Sequence, residues 1–115
     1  MYKVVHFSEV EEDLYELPDE VLNEVFEYFE KYKIDPLKYS SKLYNQGNLN
    51  LKGYRKTYVA QASYRIVIHI ENNITKVVEV VAVGKRNNKE VYKTAHDRLH
   101  HGRADEIHRL QVKKY

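Results

Sequence analysis

The sequence predicts an α+β domain in which an N-terminal strand and a helical hairpin pack on a small antiparallel sheet, with a C-terminal extension. Three observations lead there. Apolar residues recur at helical spacing between Val10 and Tyr32, apolar and polar residues alternate between Gly53 and Val83, and Pro, Asn and Gly mark the borders of those segments. At 115 residues the chain has room for one core, read as a domain over 1–100 and a basic tail over 101–115.

The elements follow in order. Tyr2 to Phe7 is short, β-branched and aromatic, which predicts a strand. Ser8 with Glu11 three residues later has the spacing of a capping box, and Val10, Leu14 and Leu17 then form a helical stripe that Pro18 ends. The acids Glu9, Glu11, Glu12 and Asp13 sit where a helix dipole favours negative charge. Pro18-Asp19-Glu20 makes a good first turn for a second helix, whose apolar face is Val21, Leu22, Val25, Phe26, Phe29 and Tyr32 and which should stop before Pro36. Residues 35–52 are polar and read as loop with a short helical turn near Leu37. Three strands are expected at 53–60, 63–71 and 75–83, joined at Gln61-Ala62 and Asn72-Asn73 into an antiparallel meander. In the middle strand Tyr64, Ile66, Ile68 and Ile70 share one face, and Arg65, Val67 and His69 the other. Beyond Gly84, helical character is expected over 89–99, and again over 104–112 in the tail.

Composition removes several classes of function. A mean hydropathy of -0.70 without a long apolar run excludes a membrane-spanning helix. The absence of cysteine excludes disulfides, thiolate zinc sites and thiol nucleophiles. Met1 to His6 lacks the basic-then-apolar layout of an export signal, so a cytoplasmic protein is expected. The charge is strongly divided: residues 1–51 hold five lysines against eleven acids, a net -6, whereas residues 52–115 hold fourteen Lys and Arg against six acids, a net +8. Every arginine lies in the second half, which suits a basic face for a polyanion, nucleic acid first, although two solvated surfaces would look the same.

Within that half, Arg55 and Lys56 stand on one expected strand, Arg65 on the next, and Gly84-Lys85-Arg86 just after the third. Tyr54, Tyr58, Tyr64 and Tyr92 are interleaved with them, adding rings that stack on bases to cations that bind phosphate. Tyrosines also pack strands, so the pattern alone leaves both readings open.

The run Val83-Gly84-Lys85-Arg86, followed by Lys89-Glu90-Val91-Tyr92, resembles the C-terminal signature of the RelE/ParE toxin superfamily, specifically its RelE-type ribonucleases. Leu51-Lys52-Gly53-Tyr54-Arg55, with Tyr64-Arg65-Ile66-Val67-Ile68 after it, resembles the central hairpin of the same family. The order of elements agrees over roughly residues 2–99. The resemblance implies a RelE-like, microbial-RNase-like fold and the toxin of a bacterial type II toxin-antitoxin system. Such a toxin is a metal-independent endoribonuclease that cleaves mRNA in the ribosomal A site, inhibits translation and is held inactive by a cognate antitoxin. It implies no small-molecule cofactor, no metal and no membrane.

Residue by residue, the resemblance assigns Arg65 to transition-state stabilisation and Arg86 to protonating the leaving oxygen or stabilising its charge. It assigns Tyr92 to 2′-hydroxyl activation, base stacking or both, and Arg55 to phosphate binding or nucleophile activation. Lys52, Lys56, Lys85 and Lys89 are expected RNA contacts. One departure stands out: the family carries two basic residues at alternating positions on the first hairpin strand, and here the second falls at Thr57, with Lys56 beside it. Alternation turns Lys56 away from Arg55 unless a bulge intervenes.

Each residue also has a purely structural reading. Arg65 pairing with Glu79, Arg86 as a loop cation and Tyr92 as a cap on the core are the alternatives. His96 and His100 have the separation of two ligands on one helix face, but no third ligand is evident, and His101 and His108 read with them as solvated or RNA-facing. The cluster Glu11, Glu12 and Asp13 fits a helix N-terminus better than an acid pair in a cleft. Two other functions belong to different classes: a ParE-type inhibitor of DNA gyrase, and a nucleic-acid-binding module without catalysis.

Overall fold

A computed structural model describes residues 1–43, 53–71, 76–85, 90–100 and 113–114. The chain runs β1 (Lys3–His6), α1 (Val10–Tyr15), α2 (Asp19–Ile34), β2 (Ser41–Lys42), β3 (Tyr54–Val59), β4 (Tyr64–Glu71), β5 (Val77–Lys85), α3 (Glu90–His100) and β6 (Lys113–Lys114). The strands form one sheet in the order β2-β3-β4-β5-β1-β6. β4 and β5 lie at its centre because they are long and rich in Ile and Val, which suit a surface buried on both faces.

The antiparallel meander is as the alternation predicts, with Thr57 opposite Ile66 and Ile66 opposite Val83. One bulge interrupts it, where Val67 faces Ala82 but Ile68 faces Val80. β1 joins the other side of β5 in parallel, Val4 opposite Val78, so the sheet is mixed. The helical hairpin between them permits this, since a parallel neighbour needs a long connection. The turn Ala60 to Ser63 carries Ala60, Gln61 and Ala62 at φ 52, 55 and 70°, a left-handed run without glycine.

α1 and α2 cover one face. Val10, Leu14, Val21, Val25, Phe29 and Tyr32 are buried there with Ile66, Ile68, Val78 and Val80. Each fully buried large side chain of this kind contributes about 1.5–3 kcal/mol from transfer out of water. α2 starts after Pro18, has Asp19 and Glu20 in its first turn and Lys31 and Lys33 in its last, and stops at Asp35 before Pro36, as expected. The capping box before α1 does not form. Glu9 is the cap residue without a side-chain cap bond, and the Ser8 hydroxyl donates instead to Glu9 Oε1 at 3.1 Å.

β2 is a strand where only loop was expected, because two polar residues carry no pattern; Ser41 pairs with Lys56 and Lys42 with Arg55. The Asn72-Asn73 turn and the helix expected over 104–112 lie outside the described residues. Lys113 and Lys114 pair antiparallel with His6 and Val5. Among the described residues, no helix is long and apolar enough to cross a membrane.

Beyond its pairing with β1, the edge of β5 is covered by side chains. Asp13 Oδ2 accepts the Val83 N–H at 3.0 Å, and Arg98 Nη1 donates to the Val81 carbonyl at 2.8 Å. Arg98 and Asp13 also form a bidentate pair at 2.7 and 2.9 Å, tying α3 to α1 around the sheet edge. Asp13 is therefore a structural partner of the sheet rather than only a first-turn acid.

Candidate functional site

Strand register sorts the cations by face. Tyr58 lies opposite Arg65, Lys56 opposite Val67 and Tyr54 opposite His69, so these six side chains share the face away from α1 and α2. Gly84 flanks Arg65 on β5, and α3 packs over β4 and β5 here through Tyr92. Tyr54 and Lys56 are half-buried and Tyr58 is exposed.

Arg65 is the centre of this face. Its residue is 7% exposed, and its Nη1 donates to the Tyr92 hydroxyl. Its guanidinium carbon lies 4.5 Å from the Tyr58 ring centroid and 5.3 Å from that of Tyr92, within cation–π range of both. Among the described residues, Nε is buried without a hydrogen-bond partner and no carboxylate reaches the guanidinium. The pairing of Arg65 with Glu79 is not made, because Glu79 stands opposite His69. An arginine held this deep with one neutral partner and no counter-charge among the described residues has spare donors, the electrostatic condition that an anion relieves.

Lys56 Nζ lies 5.3 Å from the Tyr58 ring, so a second cation flanks the exposed ring. Tyr92 is 1% exposed, with its hydroxyl on Arg65, which makes it a residue that orients the guanidinium rather than an open stacking surface. Tyr58, 46% exposed, is the ring that a base can reach.

Arg55 is on the other face. Its Nε donates to Ser40 Oγ at 2.7 Å and its Nη2 to the Ser40 carbonyl at 2.8 Å, so it fastens the turn after α2 to β3. Thr57 shares that face and is 5% exposed. The Thr57 hydroxyl donates to the Tyr39 carbonyl at 2.7 Å and accepts from Tyr32. The positions that the family resemblance sets beside Arg65, Arg55 and Thr57, lie on the opposite face; Lys56 and Tyr58 stand there instead. Pairing the expected strands across Gln61-Ala62 already sets Tyr58 opposite Arg65, so alternation rather than the family pattern was the signal for this face.

Lys85 ends β5, is exposed and lies opposite Tyr64. It lines a cleft of about 400 Å³ between α1, α3 and β5, together with Asp13 and Glu16. Lys52, Arg86 and Lys89 lie outside the described residues. His96 is 3.7 Å from Asp97, its neighbour on α3.

No protein-family model matches the chain, and no curated protein matches it. Solved structures do. The RelBE2 toxin-antitoxin complex of Mycobacterium tuberculosis matches at 24% identity and TM-score 0.60, covering 74% of this chain and 98% of that one. The free E. coli toxin RelE, carrying two arginine-to-alanine substitutions, matches at 21% identity and TM-score 0.66, with 85% and 97% covered. An archaeal RelE-RelB complex from Pyrococcus horikoshii matches at 20% identity and TM-score 0.55, with 75% and 96% covered. This chain has the fold of the RelE toxins.

Proposed function

We propose that this protein is the toxin of a toxin-antitoxin pair and an endoribonuclease that cleaves mRNA in the ribosomal A site. The observation that carries the reading is Arg65: a buried guanidinium with one neutral hydrogen-bond partner among the described residues, on a sheet face shared with Lys56 and the exposed ring of Tyr58. Such a set binds a phosphate and stacks a neighbouring base.

In the reaction proposed, a 2′-oxygen attacks the adjacent phosphorus in line and the bond to the 5′-oxygen breaks. The products are a 2′,3′-cyclic phosphate and a 5′-hydroxyl, the 2′-hydroxyl proton leaving to a base and another proton reaching the 5′-oxygen. Negative charge builds on the non-bridging oxygens, and the Arg65 fork, fixed by Tyr92 before substrate arrives, meets it without reorganising. Lys56 supplies a second charge to the RNA backbone, and Tyr58 orients a base. Arg86 keeps the role the family resemblance gives it, charge or proton at the leaving oxygen. The chemistry needs no metal at this position.

Two of the similar structures named above hold a RelE-type toxin with its antitoxin, which supports a cognate antitoxin here. It would lie over the open strip of β3 and β4 and exclude RNA. The cytoplasm, where translating ribosomes are, is the compartment this reading requires.

An in-vitro translation reaction with purified protein, read by primer extension with and without ribosomes, tests the reading. Cuts confined to translated message, lost in Arg65→Ala and Arg86→Ala and retained in Arg55→Ala that still folds, are expected. Intact message with normal translation rejects the nuclease and directs attention to gyrase; cutting that survives Arg65→Ala keeps the activity and rejects the site.

A further inference from the structure

Four residues along β4 from Arg65, roughly 13 Å at ~3.3 Å per residue, the same sheet face carries a different chemistry. His69 on β4 lies opposite Glu79 on β5, and Glu71 follows two residues after His69 on the same side of the strand. One ligand atom from each of the three groups lies within 4.8 Å of the others. The sequence offered no conventional metal motif here, since the third ligand comes from a neighbouring strand.

We propose that His69, Glu71 and Glu79 form a binding site for a divalent transition-metal ion of the zinc class. The separation of the two inner ligands supports it. His69 Nδ1 and Glu79 Oε1 are 3.4 Å apart, long for a hydrogen bond. Two atoms each about 2.1 Å from one tetrahedral ion are about 3.4 Å apart, so the pair already spans one edge of a zinc polyhedron. His69 Nδ1 is also buried and makes no hydrogen bond among the described residues, which leaves its lone pair available in the tautomer protonated at Nε2. The ring is held by Tyr54, whose centroid is 4.9 Å from its own, so one ligand is oriented before the ion arrives.

Glu71 supplies the third ligand. It is exposed at the end of β4, free to change rotamer, and needs a shift on the order of 1 Å to close on the other two. An imidazole with two carboxylates suits zinc and its first-row neighbours better than magnesium, which prefers an octahedron of oxygens and retains its water. Three protein ligands leave a fourth position for water. The ion would clip β4 to β5 at the end of the sheet away from Arg65, and the proposal stands independently of RNA cleavage.

The test uses the full chain, stripped with a chelator and titrated with zinc chloride near neutral pH by calorimetry and by thermal unfolding. One zinc per chain is expected, with Tm raised by about 5 °C or more at a large excess over Kd. Glu71→Gln, at an exposed position that leaves the fold intact, should weaken binding about tenfold or more, and His69→Ala should remove it, whereas His96→Ala should retain it. Zinc affinity unchanged in Glu71→Gln and His69→Ala would overturn the proposal by placing the ion on other histidines. No zinc-dependent shift in the unsubstituted chain would overturn it as well.

Discussion

The Tyr92 hydroxyl accepts a hydrogen bond from Nη1 of Arg65, and that bond is the only one the buried guanidinium makes among the described residues. A phenol on α3 thus sets the direction of a cation on β4. Removing the oxygen while keeping the ring isolates this relationship. A hydrogen bond to a charged group contributes about 1.5–3 kcal/mol, so Tyr92→Phe should lower cleavage by roughly 10- to 100-fold. The loss should fall mainly on kcat if the bond holds Arg65 for the transition state, and on KM if it serves binding alike in both states. Full activity in Tyr92→Phe would remove Tyr92 from the site.

The pair formed by Asp13 and Arg98 is a different kind of contact, one that replaces a missing strand. Both side chains are largely buried, at 15% and 13% exposure, and each also bonds the backbone of β5. Asp13→Ala strands the Val83 N–H and an arginine with half its partners gone. A destabilisation of about 3 kcal/mol is expected from urea unfolding, with Asp13→Ala and Arg98→Ala far from additive. Costs that add within about 0.5 kcal/mol would mean the two act separately.

Strand alternation and helix stripes were legible in the sequence because they are local. Ile66 and Ile68 lie on the core side of β4 and Arg65 on the other, as period two requires. What escaped was set by non-local geometry. Asp13 and Arg98 meet from opposite ends of the chain, and no spacing announces them. The expected Gln61-Ala62 turn already sets Tyr58 opposite Arg65; Arg55 and position 57 were placed beside Arg65 by the family pattern, which alternation on β3 contradicts. The metal-type cluster needed the register of β4 on β5, which a sequence does not print.

Burial pushes the Tyr32 phenol far above its ordinary value of 10.0, against a smaller opposing effect of its bond to Thr57. The sign follows directly. Above about pH 10 the unfolded chain releases this proton and the folded chain keeps it, so stability present below that pH is lost as pH rises. The slope from this one group approaches about 1.4 kcal/mol per pH unit. Urea unfolding of the native chain and of Tyr32→Phe between about pH 9 and 11 checks it: the variant should start less stable and decline less steeply. Parallel slopes would show that Tyr32 does not carry the alkaline loss.

Position 57 separates the sequence reading from the structural one. The family pattern calls for a basic residue there, and on that reasoning Thr57→Lys should restore a phosphate contact and raise activity. The structure requires the reverse. Thr57 is 5% exposed on the face packed against α2, and its hydroxyl relays the Tyr32 proton donor to the Tyr39 carbonyl. A lysine at that position would bury an ammonium without a counter-ion and strip Tyr32 of its acceptor, so Thr57→Lys should lose about 3 kcal/mol or more and fail to accumulate folded protein. Tyr58→Lys, one residue on, keeps its ammonium in water at an exposed position but gives up the ring contact with Arg65 and sets a like charge opposite it, so it should lose about 1–2 kcal/mol and still fold, less than Thr57→Lys loses. Measuring Tm for the two side by side decides the register: a folded Thr57→Lys with an unfolded Tyr58→Lys would invert the faces assigned to β3, and with them the site built around Arg65.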